Sequence, residues 1–197
     1  MNKPFSESCE QNKQVILSVI KQFYTKPGTV LEIGSGTGQH AVYFAEHLPH
    51  LYWQTSDRQE NIAAINAWLE ELPAENLPEP LCLDVNQTAC PVSEADYVFS
   101  ANTVHIMSWE SVLSLFDMLG GVLKKDGFFA LYGPFNYHGA YTSESNASFD
   151  QWLKQRDPQS GIRDFEALNQ LAQQENMSLV QDVEMPANNR TLIWQKQ

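Results

Sequence analysis

The nine residues from Val30 to Gly38 constrain the fold of this chain more than any other segment. An apolar run that contains one acid, Glu32, is followed by glycines at positions 34, 36 and 38 and then by an amphipathic stretch that starts at Gln39. Glycine has no Cβ, so it permits backbone turns and a close approach of a ligand that other residues forbid. The segment therefore predicts a buried strand, a ligand-binding loop and a helix in succession.

The spacing of these glycines narrows the kind of ligand. A dinucleotide fingerprint would place its third glycine at position 39, where this chain has Gln39. A phosphate-binding loop would require Gly-Lys-Ser or Gly-Lys-Thr, and neither follows. The spacing favours an adenosyl ligand without a pyrophosphate.

Apolar runs and amphipathic stretches alternate along the rest of the chain, which predicts an α/β fold. We expect one domain over 1–197, with a Rossmann-like, seven-stranded, mostly parallel sheet, helices on both faces and a C-terminal antiparallel hairpin. A helix at 10–24 should dock on the sheet, and an irregular, substrate-side insertion should occupy about 133–161. The strands are predicted at 29–33, 51–55, 81–83, 97–99, 128–132, 179–183 and 191–194, and the other helices at 39–48, 59–72, 111–124 and 163–175.

Charge and cysteine content exclude several classes of partner. The net charge of -12 would repel a nucleic-acid backbone, and the adjacent pair Lys124-Lys125 is expected at a helix end, where the dipole favours cations. The three cysteines are an odd number and form no Cys-x-x-Cys pair that would indicate zinc or a redox dithiol, which fits a reducing compartment. No apolar run approaches the roughly 20 residues that span a bilayer. We expect a cytoplasmic protein without a nucleic-acid or membrane partner.

Polar residues follow the next strands at positions where ligands of open α/β sheets bind. Together with the glycine loop, Asp57, Asp84 and Asn102 resemble the cofactor site of class I S-adenosylmethionine-dependent methyltransferases. The resemblance implies that Asp57 holds the ribose hydroxyls, that Asp84 and the Val85 backbone contact adenine, and that Asn102 flanks the methionine part. Helix capping or turn formation would equally explain the two acids. The loop residues implied in cofactor binding are Glu32, Gly34, Ser35, Gly36 and Gly38.

A closer resemblance extends over nearly the whole chain. It rests on GTGQHA at 36–41, WQTSD at 53–57, LDV at 83–85, NTVH at 102–105, YGPF at 132–135, SN at 145–146, FD at 149–150, GIRD at 161–164 and MPANN at 185–189. These runs are similar to the methyltransferase-like family catalogued as domain of unknown function 938. The Glu-Arg-Asn-Lys element of that family stands here as Glu-Gln-Asn-Lys at 10–13. The resemblance implies the methyltransferase fold and S-adenosylmethionine as cofactor, with S-adenosylhomocysteine as product.

Methyl transfer from a sulfonium is an in-line displacement that requires alignment and exclusion of water more than a strong acid. His105, just beyond the fourth strand, is the candidate general base for an acceptor proton, or else a histidine that packs at the mouth of the site. Arg163 would bind an acceptor carboxylate or pair with a neighbouring acid. The predicted acceptor residues are Tyr132, Phe135, Asn136, Tyr137, Asn146, Arg163, Asn188 and Asn189.

The predicted function is methyl transfer to a small-molecule acceptor, without a metal. No Asn-Pro-Pro-Tyr-like sequence follows the fourth strand, which argues against methylation of a base amino group. Two alternatives remain at this point: a non-catalytic module that binds S-adenosylmethionine, and a nicotinamide-dependent oxidoreductase, which Gln39 disfavours.

Overall fold

A computed structural model describes residues 3–87 and 89–197, and a seven-stranded sheet forms its centre. The sheet strands are β1 (Gly28–Ile33), β2 (Leu51–Asp57), β3 (Leu81–Cys82), β4 (Ala95–Ala101), β5 (Leu123–Gly133), β8 (Met177–Met185) and β9 (Asn189–Lys196). They lie in the order β3-β2-β1-β4-β5-β9-β8. Strands β1 to β5 are parallel to one another, whereas β9 runs antiparallel to both β5 and β8. This arrangement confirms the predicted Rossmann-like sheet with its C-terminal antiparallel pair.

Apolar cores cover both faces of the sheet, as expected for parallel strands whose successive side chains point to opposite faces. The helices are α1 (Glu7–Ile20), α2 (Gln39–His47), α3 (Ile62–Glu71), α4 (Trp109–Val122), α5 (Glu144–Arg156) and α6 (Phe165–Gln174). In β1, Val30 packs with the first three helices and Leu31 packs with α4 and α6. Consecutive apolar residues in the strands therefore reflect burial on both sides.

The order of the strands fixes where a ligand can bind. In the sheet, β2 lies next to β1 on one side, and β4, which comes later in the chain, lies next to β1 on the other side. Open α/β sheets bind ligands outside the carboxyl ends of the strands at such a reversal. The glycine loop lies at this point because it directly follows β1.

Several predicted boundaries were wrong. The N-terminal helix begins at Glu7, three residues before the predicted start, because Ser6 caps it by accepting a hydrogen bond from the Cys9 amide. The pair Lys124-Lys125 does not end a helix: α4 stops at Val122 and both lysines lie in β5. Lys124 forms an ion pair with Asp96 of β4, with an Nζ–Oδ1 distance of 3.0 Å. Its position therefore reflects pairing with a neighbouring strand rather than a helix dipole.

The insertion at 133–161 is more regular than predicted, because it contains the 13 residues of α5. The buried residues of α5 are Asn146, Asp150 and Leu153, which recur at helical spacing. Two of the three are polar, so the stripe carries no apolar signal in the sequence. The short strand β6 (Phe135–Asn136) lies within this segment and β7 (Arg163–Asp164) follows it, and the two pair in parallel on either side of α5. In the part of the chain that is described, no helix combines the length and apolar character needed to cross a membrane.

Candidate functional site

A cavity of about 1260 Å³ opens at the carboxyl ends of the parallel strands. Its wall includes residues from the glycine loop after β1, Asp57 at the end of β2, Asp84 after β3, Asn102 after β4 and Tyr132 near the end of β5. The sheet therefore brings together side chains that lie up to about a hundred residues apart in the sequence. This is where an open α/β sheet is expected to bind a ligand.

The three loop glycines have different roles although all have positive φ. Gly36, at φ 59°, lines the cavity, and a Cβ added to it would meet no atom within 4 Å. Gly34, at φ 72°, also lines the cavity, but a Cβ added to it would overlap Thr103 Cγ2. Gly38, at φ 87°, caps α2 and packs against Ile65 outside the cavity wall. Gly36 therefore leaves room for a ligand, while Gly34 and Gly38 permit close packing within the protein.

Glu32 lies behind the loop and does not line the cavity. It is only 2% exposed, and its carboxylate accepts a hydrogen bond of 2.9 Å from Trp53 Nε1. Burial raises the pKa of Glu32 to about 7. The predicted direct role of Glu32 in cofactor binding is not supported by this position, because its carboxylate is committed to the indole. Ser35 does line the cavity, and its Oγ accepts from the Ser56 amide.

Asp57 braces the glycine loop and also faces the cavity. Its Oδ2 accepts from the Gly36 amide at 2.7 Å, and its Oδ1 accepts from the Arg58 amide at 2.7 Å and from Asn61 Nδ2 at 2.8 Å. An ionised carboxylate offers about four lone-pair sites, so Oδ2 retains capacity for a ligand hydroxyl. These contacts support the turn-forming interpretation of Asp57, while ribose binding stays a prediction for the side of the carboxylate that faces the cavity.

The remaining predicted cofactor residues lie in the cavity wall directly after β3 and β4. Asp84 accepts from the amide and the side chain of Asn86, both through Oδ1, and Val85 lies beside it in the cavity wall. Asn86 Nδ2 also donates to Ser111 Oγ at 3.0 Å, which ties this corner to α4. Asn102 adopts φ 58°, and its amide donates to the Tyr132 carbonyl. These contacts hold both segments against the cavity.

His105 lies in the same cavity wall and is 5% exposed. Its ring contacts Phe149 edge to face, with 5.3 Å between centroids, and its Nδ1 is buried without a hydrogen-bond partner among the described residues. Burial, and secondarily the Arg163 guanidinium, lower the pKa of His105 to about 4. The imidazole is therefore neutral at physiological pH and able to accept a proton.

The structure brings only half of the predicted acceptor residues into this cavity, namely Tyr132, Asn146, Asn188 and Asn189. Asn146 Nδ2 donates to the Asn188 carbonyl at 3.0 Å, which links α5 to the turn between β8 and β9. The two asparagines of that turn also border a smaller cavity of about 540 Å³. Tyr137 lines only the smaller one, where its hydroxyl donates to Asp182.

Phe135, Asn136 and Arg163 line neither cavity. Phe135 is fully buried in the apolar core, and Asn136 lies in β6. Arg163 donates to the carbonyls of Val104, Met107 and Gln159, so its guanidinium is used in holding the chain around His105. The predicted binding of an acceptor carboxylate by Arg163 is not supported by these contacts.

Sequence reasoning missed the contribution of α1 to this cavity. Ser6, Cys9 and Asn12 line it, and the Asn12 side chain meets His40 of α2. The available signal was the Glu-Gln-Asn-Lys element at 10–13, whose asparagine matches the related family element. Among the residues at 3–87 and 89–197, no group of three or more His, Cys, Asp or Glu side chains is arranged to hold a metal ion.

Solved structures that superimpose on this chain include methyltransferases of about twice its length. Mitomycin 7-O-methyltransferase MmcR superimposes with a TM-score of 0.83 at 14% identity over 96% of this chain and 54% of its own. Human N-acetylserotonin methyltransferase in complex with S-adenosylmethionine gives 0.79 at 15% identity over 96% and 53%. The S-adenosylmethionine-dependent methyltransferase SibL gives 0.80 at 19% identity over 96% and 55%. The chain thus spans little more than half of each protein.

The topology and these superpositions define the class I S-adenosylmethionine-dependent methyltransferase fold. Within it, residues 3–196 match the family described as protein of unknown function (DUF938), and the chain belongs to that family. Both findings confirm the resemblance drawn from the sequence.

Proposed function

We propose that this protein transfers a methyl group from S-adenosylmethionine to a small-molecule acceptor. The observation that carries the proposal is that one cavity contains the open face of Gly36, two acids at the ends of neighbouring strands and the neutral imidazole of His105. Donor-binding and proton-accepting groups thus share a wall. The net charge of -12 favours a small molecule over a nucleic acid.

The residues of the donor end fit an adenosyl group. Asp57 Oδ2 would accept a ribose hydroxyl in a charge-assisted hydrogen bond. Asp84 uses only Oδ1 in its contacts with Asn86, so Oδ2 would accept from the adenine amino group. Gly36 leaves room for the ligand to approach the backbone. When bound, S-adenosylmethionine supplies an electrophilic methyl group on a sulfonium.

The residues of the acceptor end fit removal of one proton from a hydroxyl or amine. Because Nδ1 of His105 is inaccessible, Nε2 is the nitrogen that would accept the proton. Phe149 fixes the ring from one edge, and the Arg163 contacts hold the segment that carries it. Tyr132, Asn146, Asn188 and Asn189 would bind the acceptor.

The three free cysteines support a reducing compartment such as the cytoplasm.

Formation of S-adenosylhomocysteine in the presence of fractionated metabolite extracts tests this function. We expect one fraction to stimulate product formation by the wild-type protein, and we expect His105→Ala to lower turnover by about 10²–10⁴-fold, the usual contribution of a general base. His47→Ala, which changes an exposed histidine on α2, is the matched control and should leave turnover unchanged. Equal turnover of His105→Ala and wild type would remove His105 from the mechanism.

A second candidate is a non-catalytic module that binds S-adenosylmethionine. It is favoured by the pKa of His105, which burial lowers to about 4, because a base of such low pKa has little affinity for a proton. Donor binding without product formation in every fraction would support this candidate. A nicotinamide-dependent oxidoreductase is disfavoured because Gln39 replaces the third glycine of the dinucleotide fingerprint.

A further inference from the structure

The start of α1 and the residues before it form one wall of the large cavity. Ser6, Cys9 and Asn12 line it together with the glycine loop and Asp57. The second half of α1 is anchored differently, because Ile16, Val19 and Ile20 are buried in the apolar core. In the first half, Asn12 is the buried residue. The cavity-facing half of the helix is therefore held mainly by polar contacts.

Gln39 makes the first of these contacts. Its side chain is 3% exposed, and it accepts a hydrogen bond of 2.5 Å from the Ser6 amide through Oε1 while Nε2 donates to the Ser6 carbonyl at 3.3 Å. Gln39 is the first residue of α2, directly after the glycine loop. One side chain thus connects the beginning of α1 to the helix that follows the loop.

His40 makes the second contact. Its Nε2 lies 2.6 Å from Asn12 Oδ1, and both residues are buried. An amide oxygen is an acceptor only, so the His40 ring donates through Nε2. Asn12 therefore connects the first half of α1 to α2.

We propose that Gln39 and His40 are positioning residues for the donor site, which hold the first half of α1 as a wall against a bound adenosyl sulfonium ligand. This inference rests on the proposed donor-binding function. Gln39 stands where a dinucleotide-binding loop would have its third glycine, and His40 follows it. Both side chains contact the α1 segment rather than a ligand. Asn12 and Cys9 would then lie beside the occupied donor site.

Calorimetric titration with S-adenosylhomocysteine tests the role of Gln39. In Gln39→Ala both hydrogen bonds to Ser6 are lost, and we expect the dissociation constant to rise about tenfold, equivalent to about 1.4 kcal/mol. Gln14→Ala changes an exposed glutamine on α1 and should leave the constant unchanged. A merely structural role would lower the melting temperature of Gln39→Ala without changing the constant at a temperature where the variant is folded. A constant within twofold of wild type would overturn the proposal.

Cys9 gives a second readout that requires no change in the wall itself. In a background with Cys82→Ser and Cys90→Ser, Cys9 is the cysteine left to react with a maleimide, and its thiol is half-buried beside the cavity. We expect S-adenosylhomocysteine to slow its labelling at least fivefold and Gln39→Ala to accelerate it in the absence of ligand. If the labelling rate of Cys9 is the same with and without bound S-adenosylhomocysteine, the wall assignment alone would be overturned. Absence of any binding to wild-type protein would instead overturn the donor function and the inference with it.

Discussion

Replacement of Glu32 by glutamine should stabilise the protein at neutral and alkaline pH. Glu32 is buried at 2% exposure beneath the glycine loop, and burial raises its pKa from an ordinary 4.5 to about 7. In the folded protein the carboxyl keeps its proton up to about neutral pH, whereas in the unfolded chain it loses that proton near pH 4.5. Glutamine has nearly the same shape, and its Oε1 can still accept the hydrogen bond from Trp53 Nε1.

The sign and size follow from proton linkage. Between the two pKa values the folded state binds more protons than the unfolded state, so the contribution of Glu32 to stability falls as pH rises. Each pKa unit corresponds to about 1.4 kcal/mol, and between pH 5 and pH 8 the free energy of unfolding should decrease by about 2.5 kcal/mol through this one group. The Glu32→Gln variant lacks this loss. Its stability relative to wild type should therefore rise by about the same 2.5 kcal/mol over that range.

Urea unfolding at several pH values, followed by tryptophan fluorescence, measures this difference directly. All other titrating groups are shared by the two proteins, so subtraction isolates position 32. Glu46→Gln, on the exposed surface of α2, is the matched control and should show a flat difference against wild type. A difference that is also flat for Glu32→Gln would show that the carboxyl is ionised in the folded protein and would refute the reasoning.

Three further predictions concern the loop, the base and the insertion. Gly36→Ala should cost about 1–2 kcal/mol of stability because its φ is positive, and it should weaken S-adenosylhomocysteine binding more than tenfold because the new methyl enters the cavity. Gly34→Ala should unfold at a lower urea concentration than Gly36→Ala, since its Cβ would meet Thr103. Equal binding by Gly36→Ala and wild type would contradict its place beside the ligand. Because His105 has a pKa of about 4, kcat/KM should stay level from pH 8 down to about pH 5.5 and fall only as pH approaches 4; an inflection near 6.5 would contradict this. Asp150→Ala should cost about 3 kcal/mol in urea unfolding, since the buried carboxylate accepts from Tyr141, Lys154 and the Ile162 amide, and a cost below 1 kcal/mol would refute its role in anchoring α5.

The sheet could be predicted from the sequence because its strands are buried on both faces. Val30 and Leu31 pack into different cores, and this produces a continuous apolar run that is visible without coordinates. Helix α5 was not predicted because its buried stripe contains Asn146 and Asp150, whose burial depends on distant partners such as Asn188 and Ile162. Periodicity detects apolar stripes and gives no signal for buried polar ones.

The donor end of the site was more predictable than the acceptor end for a related reason. Asp57 and Asp84 follow strands, and parallel topology alone brings strand ends together. The part played by Arg163 depends on the carbonyls of Val104, Met107 and Gln159, which a loop presents only after folding. The place of α1 in the cavity wall depends likewise on the contact between Ser6 and Gln39, 33 residues apart. Such contacts leave no local pattern.

The central claim is that the cavity at the carboxyl ends of the strands binds an adenosyl sulfonium donor. Calorimetric titration of the wild-type protein and of Asp57→Ala with S-adenosylhomocysteine and with NAD tests it most directly. We predict binding of one S-adenosylhomocysteine per wild-type chain, a loss of about 2–3 kcal/mol in Asp57→Ala as expected for removal of a charged hydrogen-bond partner, and no heat from NAD. Tight binding of NAD together with no binding of S-adenosylhomocysteine would contradict it.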